Sequence, residues 1–294
     1  MAITQRRSRT SSTSRERASM SLQTLSEWLR CPNCCLPLYR SADLVLGCER
    51  GHSFDVNKRG FVNLLTGPRK FIGDSAAMLD ARDRFLDAGW YEPLWNAIRT
   101  RVTGESPRRI LDVGCGTGYY LGAALPPGDD GVRALGMDLS PTAVGRAIRA
   151  HDRADGLVAD VWSPLPVRDG VADIILNIFA PRNAAEFHRV LRPDGLLLVV
   201  VPQSTHLRQL RKSGLVVEMQ ADKAAHLTTS LAAWFRLESH DQLDRTVELS
   251  PSEVMSLIGM GPSAHHTDPK TVEASATMNR DVTLAFDIFQ FRRR

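Results

Sequence analysis

Ile110-Leu-Asp-Val-Gly-Cys-Gly-Thr-Gly118 decides how the chain is read. The apolar run from Arg109 to Val113 reads as a strand, and Tyr119 to Leu125 as the helix that follows it. Between them three glycines at alternate positions, Gly114, Gly116 and Gly118, let the backbone turn tightly and approach a ligand closely. The pattern is D-x-G-x-G-x-G, with Asp112 before the first glycine, and it departs from the G-x-G-x-x-G of dinucleotide enzymes. A dinucleotide site presents helix N–H groups to a pyrophosphate. An acid beside the loop suits a ligand without phosphate that carries positive charge.

Outward from the loop, strand and helix patterns alternate, which predicts βαβ units, a mostly parallel sheet and an α/β fold. Val132 to Asp138 reads as a second strand, and Pro141 to His151 as a helix with proline in its first turn. Gly156 to Asp160 and Ala172 to Ile178 follow as strands, Ala184 to Leu191 as a helix, and Leu196 to Val201 as a strongly β-branched strand. Past Pro202 the pattern weakens. It offers helices over Thr205 to Lys212 and Ala221 to Ser239, then strands over Thr246 to Leu249 and Val282 to Phe289.

Asp112, Asp138 and Asp160 then stand at the carboxyl ends of three successive strands, where open α/β sheets bind their ligands. Each alone also reads as a helix N-cap or a turn residue. Together with the glycine loop they suit S-adenosylmethionine. Asp138 is placed to accept from both ribose hydroxyls and Asp160 to meet the adenine amino group, while the acid near the loop serves the sulfonium and amino-acid tail. Cys115, inside the loop, reads as a small buried residue rather than a nucleophile.

A second constellation lies upstream. Cys31-Pro-Asn-Cys34 is followed after thirteen residues by Cys48-Glu-Arg-Gly-His52. Two close pairs joined by a hairpin-length segment can converge on one zinc through three thiolates and one imidazole. All four positions are filled by protein, so the site is expected to be structural, a staple for a segment with little core of its own. Cys35 stands beside Cys34 as a competing ligand. Arg40, Arg50, Lys58, Arg59, Arg69 and Lys70 lie in or just after this segment, either as a nucleic-acid surface or as an ordinary solvated face.

The expected organisation is a disordered basic arm over 1–22, a zinc-binding module over 23–66, a helical linker over 67–105 and a methyltransferase domain over 106–294. Six arginines against two glutamates in residues 1–30 account for the whole net charge of +4. That arm suits a polyanionic partner, or is a solvated tail. Five cysteines do not form a disulfide framework, and the first 20 residues lack the apolar region of a secretory signal. No run reaches the roughly 18 apolar residues of a membrane span. A cytoplasmic chain with no membrane partner is expected.

Residues 109–202 resemble the class I S-adenosylmethionine methyltransferases, a Rossmann-like fold. A longer set of motifs goes further. His52-Ser-Phe-Asp-Val-Asn-Lys-Arg-Gly-Phe-Val-Asn-Leu-Leu65 follows the cysteine pairs, then Gly73-Asp-Ser-Ala-Ala-Met78, Phe85-Leu-Asp-Ala-Gly-Trp-Tyr-Glu-Pro-Leu94 and Asn177-Ile-Phe-Ala-Pro181. With the glycine loop, these resemble the RlmA family of 23S rRNA (guanine-N1)-methyltransferases across nearly the whole chain after residue 30. The segment between Leu65 and Gly73 resembles the branch that modifies guanine 748 rather than 745 and includes tylosin-resistance enzymes. The resemblance implies zinc on Cys31, Cys34, Cys48 and His52. It implies cofactor contacts from Tyr91, from Gly116 and Thr117 in the loop, and from His206. It also implies 23S ribosomal RNA as the partner and a homodimer whose paired zinc modules flank an RNA cleft. The arm before residue 23 departs from the family pattern.

Guanine N1 carries a proton at neutral pH and must lose it as it attacks the methyl group. The base must also be held out of its stack. Asn177 and Phe179 are the candidates to contact it, by hydrogen bonding to its edge and by stacking, although Asn177 also reads as a loop anchor and Phe179 as a core residue. Asp74, Asp80, Asp83 and Asp173 are all open as the base. Two rivals are a small-molecule methyltransferase whose zinc ribbon serves dimerisation, and a zinc-dependent RNA-binding protein with an inactive methyltransferase fold.

Overall fold

The computed structural model describes residues 14–66, 73–129, 131–216, 223–261 and 278–294. Arg6, Arg7 and Arg9 of the basic arm lie outside them, as does segment 67–72, which holds Arg69, Lys70 and most of the stretch that carries the branch resemblance. No helix among the described residues is long and apolar enough to cross a membrane.

The chain enters through helix α1, Ser14–Trp28. Disorder is expected through residue 22; from Ser14 the chain is helical instead, while residues 1–13 lie outside the described residues. Leu22, Leu25, Trp28 and Leu29 recur at helical spacing and are 0–2% exposed, a stripe that the Ser- and Arg-rich composition conceals. Four short strands follow: β1 (Tyr39–Ala42), β2 (Val45–Gly47), β3 (Ser53–Asn57) and β4 (Phe61–Asn63). Each pairs antiparallel with the next. Helices α2 (Ala76–Asp87) and α3 (Glu92–Gly104) lead into the main sheet.

That sheet contains β5 (Arg109–Val113), β6 (Arg133–Asp138), β7 (Ala154–Val158), β8 (Ala172–Ile178), β9 (Leu191–Pro202), β10 (Phe235–Leu249) and β11 (Arg280–Arg293). Its order is β7-β6-β5-β8-β9-β11-β10, parallel from β7 to β9 and antiparallel thereafter. Helices α4 (Tyr119–Ala124), α5 (Pro141–Ala150) and α6 (Ala184–Val190) cross between parallel strands. The parallel strands are buried on both faces over their central residues, by separate apolar clusters, as a parallel sheet between helical layers requires. Helices α7 (Arg208–Lys212), α8 (Lys223–Leu231) and α9 (Pro251–Gly259) complete the C-terminal part.

The helix expected over 221–239 is cut short at Leu231, with 221–222 outside the described residues. Phe235-Arg-Leu-Glu-Ser239 holds good helix formers, but it begins β10, which pairs with β11 along nearly its whole length. That tertiary pairing overrides local preference. Strand β9 likewise starts at Leu191 rather than Leu196, and β7 ends at Val158, leaving Asp160 in the turn beyond it.

The small strands do not stand apart. β4 pairs in parallel with β7, so Phe61, Val62 and Asn63 face Gly156, Leu157 and Val158. The amide of Gly156 donates to Gly60 (3.1 Å) and that of Leu64 to Val158 (2.9 Å). A Cβ at Gly156 would stand 2.4 Å from Val144 and 2.6 Å from Phe61, so only glycine lets the two units come this close. On the other side of the join, the half-buried Arg168 guanidinium donates to the carbonyls of Ser26, Leu29 and Leu38. Arg109 pairs with Glu27 at 2.8 Å. Arg168→Ala removes a donor from three carbonyls, of which that of Leu29 keeps the Leu38 amide (3.2 Å), and is expected to lower unfolding stability by about 2–3 kcal/mol in urea titration. Unchanged stability would show that this side chain does not hold the two units together.

Candidate functional site

The metal centre is built by two tight turns. The Cys35 amide donates to the Cys31 carbonyl (2.8 Å), and the Cys48 amide to that of His52 (3.0 Å). These turns bring Cys31, Cys34, Cys48 and His52 together, with their ligand atoms all within 4.8 Å of one another. The Cys34 and Cys48 sulfurs are 3.6 Å apart, and His52 Nδ1 lies 3.5 Å from Cys31 Sγ and 3.4 Å from Cys48 Sγ. A tetrahedron with Zn–S bonds of about 2.3 Å has edges of about 3.8 Å, so this donor set fits zinc in geometry and chemistry. Cys35 is exposed, has a left-handed φ of 61° and does not join the cluster. Its competition with Cys34 is resolved.

The second site lies at the carboxyl ends of β5, β6 and β8. Gly114, Gly116 and Gly118 all have left-handed φ, at 79°, 53° and 88°. A Cβ on Gly114 would stand 2.4 Å from Ala180, and one on Gly118 2.7 Å from Ala147, so neighbouring elements close on the loop. The amides of Gly114 and Cys115 both donate to the Met137 carbonyl. Asp138 Oδ2 accepts from the Gly116 amide at 3.0 Å and Oδ1 from the Ser140 amide at 2.9 Å. Each carboxylate oxygen keeps a lone pair for a ligand hydroxyl. Asp112 is 2% exposed, and burial together with the neighbouring Asp138 carboxylate pushes it up to about 8. A buried acid beside a half-buried carboxylate makes a place where a cation is favoured, because a nearby positive charge restores the ionised form of Asp112.

Thr117 is buried in the same loop. Asp160 is farther out. Its carboxylate accepts from the Trp162 amide and the Ser163 hydroxyl, both at 3.0 Å, and its turn is tied to the site through the Ala159 amide, which donates to the Asp138 carbonyl.

An aromatic wall faces the loop and brings together three of the expected residues. Tyr91 packs edge-on against Phe286 (5.0 Å between ring centres), Phe179 lies 5.4 Å from the same ring, and His206 4.9 Å. Phe179 is not a core residue, since it is 42% exposed. It has a left-handed φ of 56°, an uncommon conformation for a bulky side chain that costs about 1 kcal/mol or more and clusters at functional sites. Beside it Asn177 is fully buried. Its amide nitrogen donates to the Pro181 carbonyl (2.9 Å), while Oδ1 has no partner among the described residues. Burial, with help from Arg211, pushes His206 down to about 3, and its Nδ1 accepts from the Ala285 amide (3.1 Å). The imidazole is therefore neutral with its proton on Nε2, a donor.

Sequence reasoning missed two members of this wall. Tyr120 has a buried hydroxyl with no partner among the described residues and a ring 6.3 Å from that of Phe179. Phe286 is the hub of the cluster, but it sits in the weakly patterned C-terminal part. The tyrosine pair directly after the loop was the one available signal. Of the four acids open as a base, Asp173 is removed to the opposite end of the sheet, where it accepts from the amides of Arg108 and Arg109 and pairs with Arg192. Asp80 and Asp83 pair with Arg146, and Asp74 with Arg82.

Buried oxygens at Asn177 and Tyr120 without partners among the described residues, an acidic floor at Asp112 and Asp138, and glycines that leave the loop backbone bare fit S-adenosylmethionine and a polar base edge. Cys34→Ser is expected to reduce bound zinc, measured by atomic absorption, at least tenfold while keeping the cofactor dissociation constant within about threefold. Retained zinc would show that Cys34 is not a ligand.

A methyltransferase-domain model matches residues 111–199, and a zinc-ribbon model described as "RlmA, N-terminal" matches residues 29–70. The chain is 43% identical over 246 residues to a Streptomyces fradiae protein named 23S rRNA (guanine(748)-N(1))-methyltransferase, covering 82% of this chain and 87% of that one. It is 40% identical to a Micromonospora griseorubida protein named a putative 23S rRNA (guanine-N(1)-)-methyltransferase, covering 87% and 93%. A Bacillus subtilis protein with the same designation is 33% identical, covering 88% and 95%. With identities at this level over most of both chains, and the zinc-ribbon model matched at residues 29–70, the chain belongs to the RlmA family of 23S rRNA guanine-N1-methyltransferases.

Proposed function

We propose that this protein methylates N1 of a guanine in a domain II hairpin loop of 23S ribosomal RNA, at guanine 748 rather than 745, with tylosin resistance as the consequence. The observation that carries the proposal is the corner formed by Asn177 and Phe179. There an unpaired buried acceptor stands beside a half-exposed ring in a chain so similar to the Streptomyces fradiae enzyme. Guanine presents N–H donors on its N1 edge, and Asn177 Oδ1 is an acceptor fixed by the bond that its amide makes to Pro181. Phe179 supplies the face on which an unstacked base rests.

When bound, S-adenosylmethionine supplies an electrophilic methyl on sulfur. The residues proposed to hold it are Tyr91, Asp112, Gly114, Gly116, Thr117, Gly118, Asp138, Asp160 and His206. Asp138 takes the ribose and Asp160 the adenine amino group, while the loop glycines leave room for both. Asp138, and Asp112 as a nearby positive charge draws it back to its ionised form, favour the cationic cofactor over its neutral-sulfur product. The rings packed around Phe286 shield one side of the crevice and help orient the acceptor nitrogen, and placement of this kind is where most of the acceleration in a methyl displacement arises.

The zinc module is proposed as the RNA grip. A groove of about 760 Å³ runs from its β3–β4 turn to the glycine loop, lined by Arg59, Phe61, Thr117, Arg146 and Arg149 among others. Arg59 and Arg149 suit phosphates along such a path. A cytoplasmic homodimer, in which paired modules flank the RNA, completes the proposal.

The test is methyl transfer from labelled S-adenosylmethionine to 23S rRNA lacking the modification, mapped by primer extension. A stop at guanine 748 is expected, and Phe179→Ala should raise KM for the RNA five- to hundredfold with cofactor affinity retained. Transfer to a small molecule but not to RNA, or a stop at a different base, would overturn the proposal.

A further inference from the structure

The ion pair between Arg82 and Asp74 lies at the rim of the glycine loop. Asp74 follows Gly73, where a Cβ would stand 3.0 Å from Ser140, and the Ser140 hydroxyl donates to the Asp74 carbonyl at 3.2 Å. Ser75 then caps α2 by accepting from the Met78 amide, and two turns later the helix presents Arg82. Its Nη1 meets Asp74 Oδ2 at 2.6 Å and its Nη2 donates to the Met260 carbonyl at 2.9 Å. The same Nη1 is 3.0 Å from where a Cβ on Gly116 would stand, so the guanidinium lies directly over the central glycine. Both side chains are partly exposed, at 24% and 29%.

A guanidinium carries five N–H donors, and these contacts leave some of them free. The group is fixed in place by a carboxylate and a carbonyl, sits above bare loop backbone and is open to solvent on one side. That is a preorganised seat for a planar anion. The expected cofactor has one carboxylate, at the end of its amino-acid tail, and the loop beneath Arg82 is where that tail would run.

We propose that Arg82 binds the carboxylate of the S-adenosylmethionine tail and that Asp74 positions the guanidinium for it. Resting on the assignment of the crevice to this cofactor, the proposal adds its amino-acid subsite. It also explains why the Gly73-Asp-Ser segment is docked so closely on Ser140: the segment sets the height of Arg82 above the loop.

The experiment is calorimetric binding of two neutral-sulfur ligands, S-adenosylhomocysteine and 5′-methylthioadenosine, of which only the first has the amino-acid tail. Arg82→Ala should weaken S-adenosylhomocysteine at least tenfold and change methylthioadenosine by less than about twofold, a charge-assisted hydrogen bond being involved. Arg82→Lys should recover part of the loss, and it provides the reading if the alanine variant does not fold. Equal losses for both ligands, or no loss for either, would overturn the proposal and leave Arg82 as a strut between α2 and α9. Wild-type protein that binds neither ligand would overturn the cofactor assignment itself.

Discussion

The pairing of β4 with β7 is the constraint on which the rest of the molecule depends. A segment of some forty residues with four short strands cannot bury a core of its own. Here it joins the edge of a sheet that is already stable. Leu46, Val56 and Val62 from the ribbon share one apolar cluster with Leu111, Leu135 and Leu157 from the parallel sheet. Zinc closes the distal end of the ribbon, and the sheet closes the proximal end. A metal-bound module and a catalytic domain thereby become one body, and the Arg59 end of the ribbon is held at a set distance from the glycine loop.

Rigidity of that kind matters for a reaction governed by placement. Methyl displacement needs an acceptor nitrogen in line with the sulfur–carbon bond, and a small displacement costs a large factor in rate. The protein's own hydrogen bonds fix the groups of the crevice in place. Asn177 is fixed by its bond to Pro181, and Phe179 is held in a left-handed conformation by its own amide, which donates to Val200. His206 is locked in one tautomer by Ala285. The polar atoms left over, Asn177 Oδ1 and the Tyr120 hydroxyl, carry a desolvation cost of about 1–3 kcal/mol each that a ligand can relieve.

Much of this was legible in the sequence because it rests on local chemistry. Gly114, Gly116 and Gly118 announce a left-handed turn, two cysteine pairs announce a metal, and the alternation from Arg109 to Val201 announces a parallel sheet. What stayed hidden depends on partners far along the chain. Leu22, Leu25 and Trp28 make a buried helical face only because the sheet edge lies against them. Phe235 to Ser239 is strand only because β11 pairs with it. Phe286 and Arg82 carry no motif, and their places over the crevice come from contacts with elements that the folded topology alone brings near. Phe179 shows both limits at once, since its residue type suggested either a stacking surface or core, and exposure with backbone strain favours the former.

The claim that ribbon and catalytic sheet form one cooperative body is tested most directly by native-state hydrogen exchange of the zinc-loaded protein. The amides of Leu64 and Gly156, which cross the join, should exchange only with global unfolding, at the same free energy as those of Leu111 and Leu135 in the central strands. Exchange of the joining amides at a markedly lower free energy, with β5 and β6 still protected, would contradict it and make the ribbon a tethered module.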